Sequence, residues 1–112
     1  MNPDDLVEVI ITAPDRSRLV DLCRQLVKAR LASSAHVVHP VTSIYRWHNT
    51  VHETTEARAF LQSRRALVDE LTQFVVARHP YEVPNVTALP IIGGNPGYLA
   101  WVTTQTTTAD GE

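Results

Sequence analysis

The run His79-Pro80-Tyr81-Glu82-Val83-Pro84 constrains the fold of this chain more than any other feature of its sequence. Pro80 has no backbone N–H and pushes the residue before it out of helical φ/ψ, so the helical stretch upstream must stop at His79. The corner that results holds an imidazole, a phenol and a carboxylate close together. A β-branched run follows it, so the chain passes from helix to strand through a site-like turn.

The rest of the chain alternates in the same way. Residues 6–12 are β-rich and end at Ala13-Pro14-Asp15, where proline stops a strand and Asp15 can cap a helix. Leu19, Leu22, Cys23, Leu26 and Val27 then recur with helical spacing and form one apolar stripe. From Ala35 to Trp47 the composition predicts a long strand, bulged or at an edge around Pro40. Asn49-Thr50 reads as a turn, and Val51–Ser63 as the return strand, with Val51, Glu53, Thr55, Ala57, Ala59 and Leu61 on one face. Ser63 is the expected cap of a second helix whose stripe is Leu67, Leu71, Phe74 and Val75. Val83–Ile92, carrying Pro84 and Pro90, reads as an edge strand. Gly93–Gly97 reads as a connector, Tyr98–Thr104 as a short final strand, and 105–112 as a frayed Thr-rich tail.

This order is βαββαβ with an extra C-terminal strand: an α+β, ferredoxin-like sandwich in one domain spanning 1–112, with its core at about 6–104. Both helices cover the same sheet face. The other face is expected to lack a helix while carrying Tyr45, Trp47 and alternating aliphatics, which predicts association.

Composition excludes several functions. The chain has 112 residues with 44% hydrophobic and 20% charged, and a formal net charge of −2, which supplies no basic field for nucleic acid or an anionic membrane. Its apolar runs fall far short of the ~20 residues that span a bilayer. The start Asn2-Pro3-Asp4-Asp5 lacks the basic and apolar regions of a secretory leader, and the single cysteine, Cys23, forms no internal disulfide and builds no thiolate cluster, so a cytoplasmic setting is expected. Phosphate-binding loops, nucleophile elbows and zincin helices are absent as motifs.

Thr12-Ala13-Pro14-Asp15, Leu31-Ala32-Ser33-Ser34, Ser43-Ile44-Tyr45-Arg46-Trp47 and the His79-Pro80-Tyr81 corner together resemble the CutA, or divalent-ion-tolerance, family over roughly residues 6–104. The resemblance implies a non-catalytic homotrimer associated with tolerance of divalent cations such as copper. In it the sheets pack together and a cleft between subunits gathers Tyr45, Trp47, Glu56, His79, Tyr81 and Trp101. Gln62 also belongs to that cleft; it stands where the family commonly has lysine, so the cleft has lost a positive charge. Ser34, Ile11 and Arg78 stand where relatives can place cysteine, cysteine and histidine. The soft ligands being missing, only weak copper binding is expected, with no required cofactor.

Among the histidines, His79 can either ligate a metal or satisfy carbonyls at the helix end. His48 and His52 flank the hairpin turn and could meet across it as a two-nitrogen site, whereas His36 and His39 fall on opposite strand faces unless a bulge realigns them. Two other architectures fit the same element order: a trimeric small-ligand sensor similar to PII signalling proteins, and a small cofactor-independent oxygenase with His79 as base.

Overall fold

In the computed structural model, which describes residues 2–106, strand β1 (Leu6–Ala13) lies between two antiparallel neighbours and loses nearly all contact with solvent on one face. Helix α1 (Arg16–Lys28) follows, then a long hairpin of β2 (Ser34–Trp47) and β3 (Thr50–Arg64). A single 3-10 turn (Arg65–Leu67) leads into α2 (Val68–Arg78), and strand β4 (Val86–Pro90) and helix α3 (Pro96–Gln105) complete the order. The sheet runs β2-β3-β1-β4, the ferredoxin-like arrangement, with β2 and β4 at its edges.

Cross-strand partners share a face, so the register sorts the sheet directly. Val7, Val9, Ile11 and Ala13 pair with Ser63, Leu61, Ala59 and Ala57, and all of these are buried beneath α1 and α2. Leu19, Leu22, Cys23 and Leu26 from α1 and Leu67, Leu71 and Val75 from the second helical segment fill the other side of that layer. The alanines at 57 and 59 leave room for the helices to approach, and each large aliphatic buried there contributes about 1.5–3 kcal/mol. Val27, at the rim of the α1 stripe, remains partly exposed.

Local signals explain the element ends. The Asp15 carboxylate accepts the Arg18 backbone N–H at 2.8 Å and caps α1, which holds its carboxyl below the usual range. At the other end Arg30 takes a left-handed conformation (φ 62°), while the N–H groups of Arg30 and Leu31 donate to the carbonyls of Val27 and Leu26. This is a Schellman closure with arginine where glycine is usual.

Four expectations are corrected by the structure. Tyr98–Thr104 is helical: Asn95 accepts the Gly97 N–H at 3.1 Å, Pro96 occupies the first turn, and the hydroxyls of Thr103, Thr104 and Thr106 bond back to carbonyls one turn earlier. The extra C-terminal strand is therefore α3, and Gly93–Gly97 leads into a helix. Ser63 caps nothing; its hydroxyl donates to the Leu31 carbonyl at 2.7 Å, and the 3-10 turn is satisfied by Asp5 and Pro3, whose carbonyls accept from Arg65 and Ala66. The second sheet face is not wholly bare, because Tyr98 and Thr106 of the α3 segment reach Gln62 and Arg64 on it. The hairpin turns at His48-Asn49 instead of Asn49-Thr50. The expected tail lies outside the described residues from 107 onward. Among the described residues no helix is long and apolar enough to cross a membrane.

Candidate functional site

Pairing of β1 with β3 stops at Ala13–Ala57, so Val41–Trp47 and Thr50–Glu56 pair only with each other and project as a two-stranded arm. The register shifts between Val38 and Val41, around Pro40, and the arm begins past that bulge. His48 and Asn49 both have positive φ, 50° and 61°, the handedness that matches the twist of a tight hairpin. One arm face carries Val41, Ser43, Tyr45 and Trp47 opposite Glu56, Thr54, His52 and Thr50. Tyr45 and His52 stack at 5.4 Å, and the edge of His48 meets Trp47 at 5.0 Å. Tyr45 and Trp47 nevertheless remain 40% and 44% exposed.

The His79 corner is nailed to the base of this arm. His79 Nε2 donates to the Thr12 carbonyl at 2.7 Å, and the Tyr81 backbone N–H donates to Nδ1 at 3.0 Å. A carbonyl can only accept and an amide N–H can only donate, so the pair fixes the imidazole's tautomer and engages both nitrogens. Tyr81, so positioned, donates its phenol proton to Glu56 Oε2 at 2.6 Å. Loss of solvent, the bond to Glu56, that residue's charge and the neighbouring Tyr45 all raise the Tyr81 pKa, so the phenol remains a donor. Glu56 is only 6% exposed.

Tyr45, Trp47, Glu56 and Tyr81 line an open cleft of about 760 Å³, with Thr12, Arg58, Glu82 and Asn85 also on its walls, while His79 lies outside it and supports the corner from behind. Tyr45, Trp47, Glu56 and Tyr81 thus share one cleft within a single chain. Gln62 and Trp101 do not join them within one chain. Gln62 sits toward the opposite end of the sheet, where its Oε1 accepts from Ser34 at 2.6 Å and from Tyr98 at 3.4 Å, and Trp101 packs on Tyr98 with ring centres 5.6 Å apart. Arg58 was not singled out from sequence, and Thr12 entered only as part of the Thr12–Asp15 segment; the β1–β3 register, which pairs the two, brings them to the cleft.

Residues 7–105 match the family described as CutA1 divalent ion tolerance protein. The chain belongs to that family. It is 37% identical to mouse Protein CutA over 89% of this chain and 56% of the mouse protein, and 41% identical to the Xenopus laevis homolog over 82% and 61%. The chain thus spans little more than half the length of those animal relatives. Against the divalent-cation tolerance protein of Thermus thermophilus it covers 88% of this chain and 95% of the relative at 38% identity. Among solved structures, Thermus thermophilus CutA1 superposes with a TM-score of 0.89 at 36% identity over 91% of this chain and 99% of that one; rice CutA1 gives 0.91 at 33% over 96% and 98%. Compartment names vary among the relatives, from chloroplastic in Arabidopsis to periplasmic in Archaeoglobus fulgidus.

The side chains of this CutA1-family chain do not fit a preformed metal centre within one subunit. Both His79 nitrogens are engaged, the Ser34 hydroxyl is given to Gln62, Ile11 is buried in the core, and the Arg78 guanidinium lies 3.5 Å over the Phe74 ring. His48 and His52 do not complete a site either: His52 Nε2 donates to the Trp47 carbonyl at 3.3 Å. Among the described residues no three His, Cys, Asp or Glu side chains converge as ligands, the bulge beside His39 included.

Proposed function

We propose that this chain works as a non-catalytic homotrimer in divalent-cation tolerance, with the arm and its cleft at the junction between subunits. The observation that carries this reading is the arm face: Tyr45 and Trp47 stand half-exposed on a ribbon that has no third strand beside it, together with a family match over residues 7–105. Burying such rings in a subunit contact would stabilise assembly by about 1.5–3 kcal/mol each. Trp101 and Gln62, at the other end of the sheet, would be brought to a neighbour's cleft by such an assembly. The divalent ion is met by the assembly weakly; copper(II), the strongest binder among common divalent ions, would compete for imidazoles already hydrogen-bonded. The compartment is read as cytoplasmic, since the buried Cys23 thiol leaves the fold without a disulfide.

Light scattering tests the assembly. The purified chain should have three times its 12.5 kDa mass, and Trp47→Ala should lower that mass at micromolar concentration. A monomeric wild type, or a Trp47→Ala variant of unchanged mass and melting temperature, rejects the reading. Calorimetric titration with copper(II) should show no saturable stoichiometric heat.

A further inference from the structure

β1 and the arm part company at one place, and the His79 corner stands there. The last pair of β1 with β3 is Ala13 with Ala57, so Glu56 is the first arm residue without a β1 partner. Past it β2 and β3 have only each other, and the bulge between Val38 and Val41 interrupts the β2 side at the same level. A ribbon so placed is free to twist and bend at its base unless something other than a third strand holds it.

Three hydrogen bonds in series hold it. The Thr12 carbonyl, at the end of β1, accepts from His79 Nε2 at 2.7 Å; Nδ1 of the same ring accepts the Tyr81 N–H at 3.0 Å; the Tyr81 hydroxyl donates to Glu56 at 2.6 Å. The series runs from the strand that ends to the strand that continues. Both nitrogens of His79 are used, so the imidazole keeps one orientation and presents Tyr81 in one direction. Pro80 and Pro84 bracket the tyrosine and fix two φ angles, which removes freedom the corner would otherwise have. The last bond ends on a carboxylate that is 6% exposed, which makes it stronger than a bond between neutral groups.

We propose that this corner is a latch that fixes the direction in which the arm leaves the sheet, and that assembly of subunits depends on it. The second half rests on the functional reading above, in which the arm meets another copy of the chain. His79 and Tyr81 are positioning residues here. His79 stands outside the cleft, on the wall of a smaller depression that it shares with Arg18 and Asp21 of α1. Its loss takes no side chain from the arm face, so its effect on assembly passes through the latch.

Hydrogen exchange read by mass spectrometry on the whole chain compares arm amides with those of β1, at a concentration where wild type and variant have the same mass. Tyr81→Phe removes the hydroxyl alone and should speed arm exchange at least about tenfold while leaving β1 unchanged. His79→Ala should do the same, and the double variant should go no further than the faster single one, since both cut one series. Glu56→Gln keeps an acceptor for Tyr81 and should fall between wild type and Tyr81→Phe. In light scattering over a dilution series, Tyr81→Phe and His79→Ala should dissociate at higher protein concentration than wild type. Arm exchange unchanged in Tyr81→Phe, exchange raised equally in β1, or additive effects in the double variant overturn the latch. Faster arm exchange with unchanged dissociation overturns its hold on assembly. A wild type that is monomeric at every concentration rejects the trimer, and arm exchange in that monomer then decides the latch by itself.

Discussion

The two halves of β3 share one backbone and one hydrogen-bonding partner in β2, yet they do different work. From Arg58 to Gln62 the strand is paired on both sides, and Ala57, Ala59, Leu61 and Ser63 point into a layer with no access to solvent. From Thr50 to Glu56 it is paired on one side, and Val51 is 60% exposed. A two-stranded ribbon is marginal in water by itself. This one is held by a tight turn of matching handedness, the Tyr45–His52 stack, and the Tyr81–Glu56 bond at its base. Stability therefore resides in the doubly paired half. The singly paired half, whose apolar side chains are not needed to close the core, is available for recognition.

The largest effect expected from this contrast is at Leu61. Leu61→Ala empties a fully buried position and should destabilise the chain by about 2–5 kcal/mol in urea unfolding. Ile44→Ala, on an arm residue 66% exposed, should change the same measurement by no more than about 0.5 kcal/mol if the arm is free. A loss at Ile44 as large as that at Leu61 would show that the arm is packed against another copy on this side too, and that the two halves are equally buried in the assembly.

The sequence reveals the doubly paired half more readily than the arm. Alternation in β1 and β3 and the stripes of α1 and α2 state which side chains face inward, because a buried face leaves a periodic apolar signature. Tyr45, Trp47 and Glu56 were grouped through the family resemblance, and the β2–β3 register sets them on one arm face. Gln62 and Trp101, grouped with them by the same resemblance to a cleft between subunits, lie toward the other end of the sheet within one chain. The Thr12–His79 bond joins residues 67 apart in the chain and follows from tertiary register alone. Helix α3 was misread for a different reason. Tyr98, Trp101, Val102, Thr103 and Thr104 have strand-like composition, and that outweighed a legible start signal in Asn95-Pro96. What makes the segment helical is context: Val102 is buried, the threonine hydroxyls bond back to the helix, and Arg30 closes its end.

A second test of the contrast uses pH. Burial among the α1 leucines pushes the Cys23 thiol from its ordinary 9.0 up to about 11. The folded chain thus holds this proton more tightly than the unfolded chain does. The resulting contribution is complete below pH 9.0 and is lost as pH rises toward about 11, because only the unfolded thiol ionises in that window. Urea melts at pH 8, 9.5 and 11 should show a steeper loss for the wild type than for Cys23→Ala. Equal pH slopes would mean that the core half opens enough to solvate the thiolate. At pH 8 the thiol should also react with a disulfide reagent far more slowly in the folded chain than in urea.

The smallest expected effect lies where the doubly paired half meets α3. Arg30 occupies a left-handed position, which costs a residue with a Cβ about 1 kcal/mol, and it offsets this by donating to the Thr104 and Gln105 carbonyls at 2.7 and 3.1 Å. Substitution separates the two contributions. Arg30→Ala keeps the strained backbone and loses both bonds, so it should be less stable by about 1–2 kcal/mol. Arg30→Gly loses the same bonds but is at ease with positive φ, so it should stand about 1 kcal/mol above Arg30→Ala and close to the wild type. In both variants the amides of the last turn of α3 should exchange faster, since its terminal carbonyls have lost their cationic partner. Equal stability of the alanine and glycine variants would show that the α1 ending relaxes out of its left-handed conformation, whereas an alanine variant as stable as the wild type would show that α3 is held to the sheet by Val102 and Tyr98 without help from Arg30.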